Sequence, residues 1–237
     1  NIAKIVDDYP KRFIGLGNIP MQNEKLAIKE LERCMSELGM QGIQIGSNIN
    51  GMNLSDESIF PIFEAASELG AAIFIHPWDM MGSEDMKKYW LPWLVGMPAE
   101  TSRAICSMIF SGIFSRLPEL RVAFAHGGGA FPSTVARIQH GFDVRPDLCA
   151  VDSDIAPVEF LGKFWVDSLV HDKDMLEYLI KKVGENKIVM GSDYPFPLGE
   201  SLPGSMIEES NMKSSTKENL LFKNALDWLD LPHDNFL

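Results

Sequence analysis

The stretch Ile188–Glu200, IVMGSDYPFPLGE, drives three apolar residues into Gly-Ser-Asp and then stops on Pro195 and Pro197. A short apolar run with β-branched residues, bounded by turn formers, reads as a buried strand rather than a helix. Asp193 then stands at the strand's C-terminal end, where open α/β sheets and (β/α) barrels gather their chemistry. An aspartate ahead of Tyr194-Pro195 serves equally as a turn cap, so the reading depends on whether other strands end in the same way.

Working outward, Phe13–Gly17 is predicted as a strand and Glu24–Leu38 as a helix, apolar at Ala27, Leu31, Cys34, Met35 and Leu38 and stopped by Gly39. Gly42–Gly46 is the next strand and Ser58–Leu69 the next helix. Ala71–His76 is a third strand, followed by an aromatic insertion at Tyr89-Trp-Leu-Pro-Trp93 and an apolar helix from about Pro98 to Phe114. Arg121–His126, Phe164–Ser168 and Ile188–Ser192 are three more strands. Ser215 and Glu218, spaced as a capping box, start a last helix that runs to about Leu229.

Strands alternating with helices imply parallel βαβ units with both sheet faces covered. No Gly-x-Gly-x-x-Gly follows any strand, and Gly127-Gly-Gly129 has the wrong spacing for a pyrophosphate loop, which disfavours an open doubly wound sheet. The expected fold is α/β: one (β/α)8 TIM-like barrel domain over residues 1–237, with a C-terminal closing helix and without its first one or two βα units. The chain opens at Asn1 without a methionine, on a run from Ile2 to Tyr9 that reads as a helix already under way. It is expected to be a piece of a longer protein or a shortened form.

Composition narrows the function. With 46% hydrophobic residues, the 237-residue chain can build one sizeable core. Its 33 acidic residues outnumber 21 basic ones for a formal charge of −12, which leaves no basic stripe for nucleic acid. Cys34, Cys106 and Cys149 are too widely spaced for a disulfide framework or a zinc finger, and no apolar run reaches membrane-spanning length. The expectation is a cytosolic protein with no nucleic-acid or membrane partner.

Three strands finish on metal-capable or proton-transfer side chains: His76 in FIHPWD, His126 in FAHGGG and Asp193 in GSDYP. In a barrel they converge at one mouth. Two imidazoles and a carboxylate suit zinc or another divalent metal with a position left for water, whose pKa the metal lowers so that a nearby histidine can exchange protons with it. His140 and His233 have no second ligand at helical spacing. His171-Asp172, after the fifth strand, lies on the same side as the three strand ends and stands as a possible neighbour to them.

The segments Phe74–Met80, Tyr89–Thr101, Ala125–Pro132, Arg145–Cys149 and Gly191–Glu200 together resemble the 2-amino-3-carboxymuconate-6-semialdehyde decarboxylase family, metal-dependent decarboxylases of the amidohydrolase superfamily. The resemblance implies a zinc-dependent, non-oxidative decarboxylase of a small dicarboxylate in tryptophan catabolism, acting as a homodimer. It implies zinc ligands at His76 and Asp193 and a general acid/base at His126 beside the metal water. Trp93, Trp78 and Phe196 would form the substrate wall, and Arg145 would reach into the neighbouring subunit's site to grip a carboxylate. The family's His-x-His on its first strand, and an arginine that follows it, are not found in this sequence, so metal binding by these residues alone is expected to be weaker. Two other readings stay open: metal-dependent hydrolysis of a lactone or amide, and an inactive form that serves as a dimerisation partner.

Overall fold

The computed structural model describes residues 2–235. In chain order it runs α1 (Ile2–Asp8), β1 (Leu16–Asn18), α2 (Glu24–Ser36), β2 (Gly42–Gly46), a hairpin of β3 (Asn48–Ile49) and β4 (Met52–Asn53), α3 (Phe60–Glu68) and β5 (Ala72–His76). A long loop leads through a π-helical turn, Pro92–Gly96, into α4 (Met97–Phe110), then α5 (Ile113–Arg116), β6 (Val122–Phe124), α6 (Phe131–Val144), α7 (Pro146–Cys149), β7 (Trp165–Asp167), α8 (Lys173–Val183) and β8 (Ile188–Val189). The last α-helices are α9 (Ser205–Glu208), α10 (Ser214–Glu218) and α11 (Asn224–Leu229). Asn23 and Asp172 start α2 and α8 by accepting from the amides of Leu26 at 3.1 Å and Met175 at 2.8 Å. Among the described residues no helix is long and apolar enough to cross a membrane.

Six strands form one parallel sheet in the order β1-β2-β5-β6-β7-β8. A doubly wound sheet would reverse somewhere in that order, whereas a barrel wall steps always to the next strand, as here. The two-residue period of each strand then sorts its side chains. Ile43, Ile45, Ile73, Ile75, Val122, Phe124, Val166 and Ile188 pack under the helices with Leu31, Phe63, Ile105 and Leu179. The alternate set, Ala72, Ala123, Trp165 and Val189, faces the other way and is covered by Trp228 and Leu229 of α11. Arg121, just ahead of β6, fixes that helix by donating to the Trp228 carbonyl at 2.8 Å. Carried along β5, the same parity places Phe74 and His76 with Ala72 on the inner face.

Four predicted elements differ in detail. The helix expected to run on to Phe114 ends at Phe110, because Gly112 turns left-handed at φ 72° and α5 becomes a separate turn. Ser215 and Glu218 do not make the capping box: α10 starts at Ser214, Glu218 pairs instead with Lys223 at 2.9 Å, and the hydroxyl of Thr216 donates to Glu185 at 2.7 Å. The strands expected to end at His126 and Ser192 stop at Phe124 and Val189, so the functional side chains sit in the turns beyond.

Phe164 is 1% exposed and anchors the aromatic part of the core, with ring centroids 5.2 Å from Phe124, 5.7 Å from Phe114 and 6.1 Å from Phe131. Phe164→Ala is expected to cost about 3–5 kcal/mol. Urea titration checks this as a lower midpoint at unchanged slope.

Candidate metal centre and cavity

His76 closes β5, His126 lies two residues beyond β6, and Asp193 lies in the turn beyond β8. One ligand atom from each falls within 4.8 Å of the other two. The imidazoles of His76 and His126 meet edge to face, with centroids 5.0 Å apart and planes at 78°. His126 and Asp193 both adopt left-handed backbone, at φ 56° and 51°, a conformation that costs a non-glycine residue on the order of 1 kcal/mol or more. The same strain recurs at His171 and Trp90, which line the same cavity.

Burial depresses the pKa of His76, and the neighbouring His126 adds to this while the Asp193 carboxylate opposes it. Burial also depresses His126, again against Asp193, with His171 adding a smaller push downward. Both imidazoles therefore favour the neutral form, which keeps a ring lone pair free as a metal ligand must. A divalent cation such as zinc fits two neutral imidazoles and a carboxylate at this spacing.

Asp167 was not marked by the sequence, where it reads as the penultimate residue of a buried strand. It is 5% exposed and accepts three backbone N–H bonds: from His126 at 2.9 Å on Oδ2, and from Gly127 at 2.9 Å and Leu169 at 3.0 Å on Oδ1. Burial pushes its carboxyl up to about 6, against the opposing pull of these three amides.

A cavity of about 730 Å³ opens over the cluster. Trp78, Trp93 and Phe196 line it, as does His171. Arg145 does not: it ends α6, outside the lining, with its guanidinium on Asp147 at 2.9 and 2.7 Å. Among the described residues, the ionisable side chains on the lining are His76, His126, His171, Asp193 and Tyr194. The roof loop between β5 and α4 is tied down by Glu100, fully buried in α4. Its Oε1 accepts from Ser47 at 3.1 Å, Asn48 at 3.0 Å and Arg103 at 2.5 Å, and its Oε2 from the Met81 amide at 3.1 Å. Nothing in the linear sequence marks Glu100, since Ser47 and Asn48 lie more than fifty residues away.

The amidohydrolase family model matches residues 1–231. A 2-amino-3-carboxymuconate-6-semialdehyde decarboxylase of Dictyostelium discoideum is 60% identical over 238 residues, covering 100% of this chain and 66% of that protein. The Caenorhabditis elegans protein of the same name is 36% identical over 289 residues, covering 97% of this chain and 72% of its own. The chain thus spans about two thirds of the length of these relatives. Among solved structures, a 5-carboxyvanillate decarboxylase of Novosphingobium aromaticivorans, complexed with manganese and 4-hydroxy-3-methoxy-5-nitrobenzoic acid, superposes at a TM-score of 0.85 with 26% identity, over 97% of this chain and 68% of that one.

The bonding of Glu100 carries a prediction independent of these likenesses. Glu100→Gln replaces one acceptor oxygen with an NH2 that must face a donor, and is expected to destabilise the fold by about 3 kcal/mol. Hydrogen exchange should also quicken at the Met81 amide, and an unchanged rate there would show that Glu100 does not hold the loop.

Proposed function

The chain belongs to the amidohydrolase family, and from that footing we propose that it carries out metal-dependent, non-oxidative decarboxylation. The proposed substrate is 2-amino-3-carboxymuconate-6-semialdehyde, converted to 2-aminomuconate semialdehyde in tryptophan catabolism at a branch that limits quinolinate and NAD synthesis. The proposed metal is zinc, the enzyme a cytosolic homodimer. The observation that carries the reading is the convergence of His76, His126 and Asp193 at the base of one cavity. The two relatives of that name, similar over essentially the whole chain, support the choice of substrate.

In this reading His76 and Asp193 hold the metal. Bound there, the cation would supply Lewis acidity and lower the pKa of a water. His126, beside them, carries the proton. His126, neutral at rest, takes up a proton from solvent on a ring nitrogen; the bond to the departing carboxylate breaks, its electron pair stays on the carbon, and that nitrogen delivers the proton to the carbon as carbon dioxide leaves. Trp78, Trp93 and Phe196 lie along the planar conjugated substrate and keep water from it. Among the described residues the cavity lining has no lysine or arginine to meet a second carboxylate. We assign that task to Arg145 of a second copy, whose planar fork matches a carboxylate in two hydrogen bonds. Exposed Val144, Leu148 and Val151 around Arg145 give a surface that a second copy would cover.

Two measurements test these roles in the purified enzyme. Elemental analysis after dialysis should show metal lost in His76→Ala and Asp193→Ala and kept in His126→Ala. In the last variant, carbon dioxide release with loss of the substrate's conjugated absorbance should fall by about 10²–10⁴. Loss of metal in His126→Ala would instead make His126 a ligand, and a product that has gained water without losing carbon dioxide would make the enzyme a hydrolase.

Mixing tests the second copy. Arg145→Ala and His126→Ala proteins, each inactive alone, should regain activity together, because one mixed dimer contains one site with both residues intact. No recovery would place Arg145 outside the site.

A further inference from the structure

We propose that Asp167 is a positioning residue that sets the spacing of the metal centre, by fixing the His126 turn on one side and the strand end that leads to Asp193 on the other. This rests on the proposed function, with His76 and Asp193 as metal ligands and His126 beside them, and concerns how the chain holds those groups rather than which groups they are.

The placement comes from register. β7 lies between β6 and β8, the two strands that lead to His126 and Asp193. Asp167 shares the inner face with Trp165 and pairs across to Val189 at the end of β8. Both of its oxygens are used. Oδ2 holds the amide of His126 and Oδ1 that of Gly127, two successive left-handed residues at φ 56° and 62°. Left-handed backbone is free at Gly127 but costly at His126, and the carboxylate holds the turn through both amides. A third bond, from the Leu169 amide, aims the carboxylate itself.

The other side is steric. A Cβ on Gly191 would lie 2.8 Å from Asp167 Cβ, 2.9 Å from its Cγ and 3.0 Å from its Oδ2. Only glycine lets the chain pass this carboxylate two residues before Asp193. The Gly191 amide then donates to the hydroxyl of Ser168 at 3.2 Å, next to Asp167 in sequence, and the Ser168 amide donates to the Val189 carbonyl at 2.8 Å. The two turns that bear His126 and Asp193 are therefore built against one side chain.

Energetics separate this from a purely structural role. No lysine or arginine among the described residues pairs with Asp167, and a buried carboxylate without a cation is a costly way to fill a core position. An apolar residue of the same volume would be the more stable choice, but it would leave the His126 and Gly127 amides without acceptors.

Cobalt(II) serves as the probe, since its visible band reports ligand geometry whether or not substrate turns over. Asp167→Asn keeps the shape but sets an NH2 against a backbone N–H, and Gly191→Ala keeps the carboxylate but displaces it. Both should retain a cooperative thermal transition. Gly191→Ala, which disturbs the turn leading to the ligand Asp193, should bind cobalt about 10–100-fold more weakly with a shifted band, and Asp167→Asn, which loosens the turn bearing His126, should quicken exchange at the His126 and Gly127 amides and shift the band. Wild-type affinity and band in folded Gly191→Ala, or unchanged exchange and band in folded Asp167→Asn, overturn the proposal. Should both fail to fold, amide exchange in the wild type decides: slow exchange at His126 and Gly127 supports it, and exchange at the rate of free loop amides overturns it. Wild-type protein that takes up no cobalt would instead refute the metal reading, leaving the same exchange measurement to judge the Asp167 bonds.

Discussion

Six strands pointing the same way impose one constraint from which the site follows. In a parallel sheet every strand exits at the same rim, so any polar residue placed just past a strand's end joins the others there, however far apart they lie in the chain. The inner faces of the strands are small or aromatic and are covered by α11 at the opposite end, leaving the exit rim as the open side. Fifty residues separate His76 from His126 and sixty-seven separate His126 from Asp193, yet the topology makes them neighbours within 4.8 Å.

That rim is costly to organise, and two buried carboxylates do most of it. Glu100 gathers the loops after β2 and β5 against α4, and Asp167 gathers the turns after β6 and β8. Each accepts from several donors at once, so removing either carboxylate leaves more than one of them without a partner. They differ in charge balance. Arg103 neutralises Glu100 within its own helix, whereas Asp167 faces only amides and the nearby histidines, which ties its cost to the groups it arranges.

How much of this could be read from the sequence depends on the range of the forces involved. Period and turn chemistry act over a few residues, and so β2 was predicted with the bounds it has, and His76 and Asp193 were marked because they end apolar runs before Pro- and Gly-rich loops. Family likeness supplied the aromatic wall. The hairpin at Asn48–Asn53 was legible in principle from Asn50-Gly51, both left-handed, which is the turn signature of a two-residue hairpin. The capping box failed because Glu218 and Thr216 found partners at Lys223 and Glu185, a choice made by packing rather than local propensity. Glu100 and Asp167 could not have been singled out, because an interior acid declares its role only through amides brought to it by the fold.

Charge and burial also decide what can enter the cavity. Its wall is largely aromatic and aliphatic, with Trp78 70% and Phe196 65% exposed, and its ionisable groups among the described residues are three histidines, Asp193 and Tyr194. Burial disfavours the charged form of two of those histidines, so the floor offers little positive charge of its own. A dicarboxylate moving from water into such a space would lose hydration at both ends with no fixed positive charge to offset it. Binding of such a dicarboxylate would therefore call for cations from outside the described lining: one at the cluster that includes His76 and Asp193, and one for the second carboxylate. A planar guanidinium serves the latter better than a flexible ammonium, because it holds the carboxylate's orientation as well as its charge while the bond at the other end breaks.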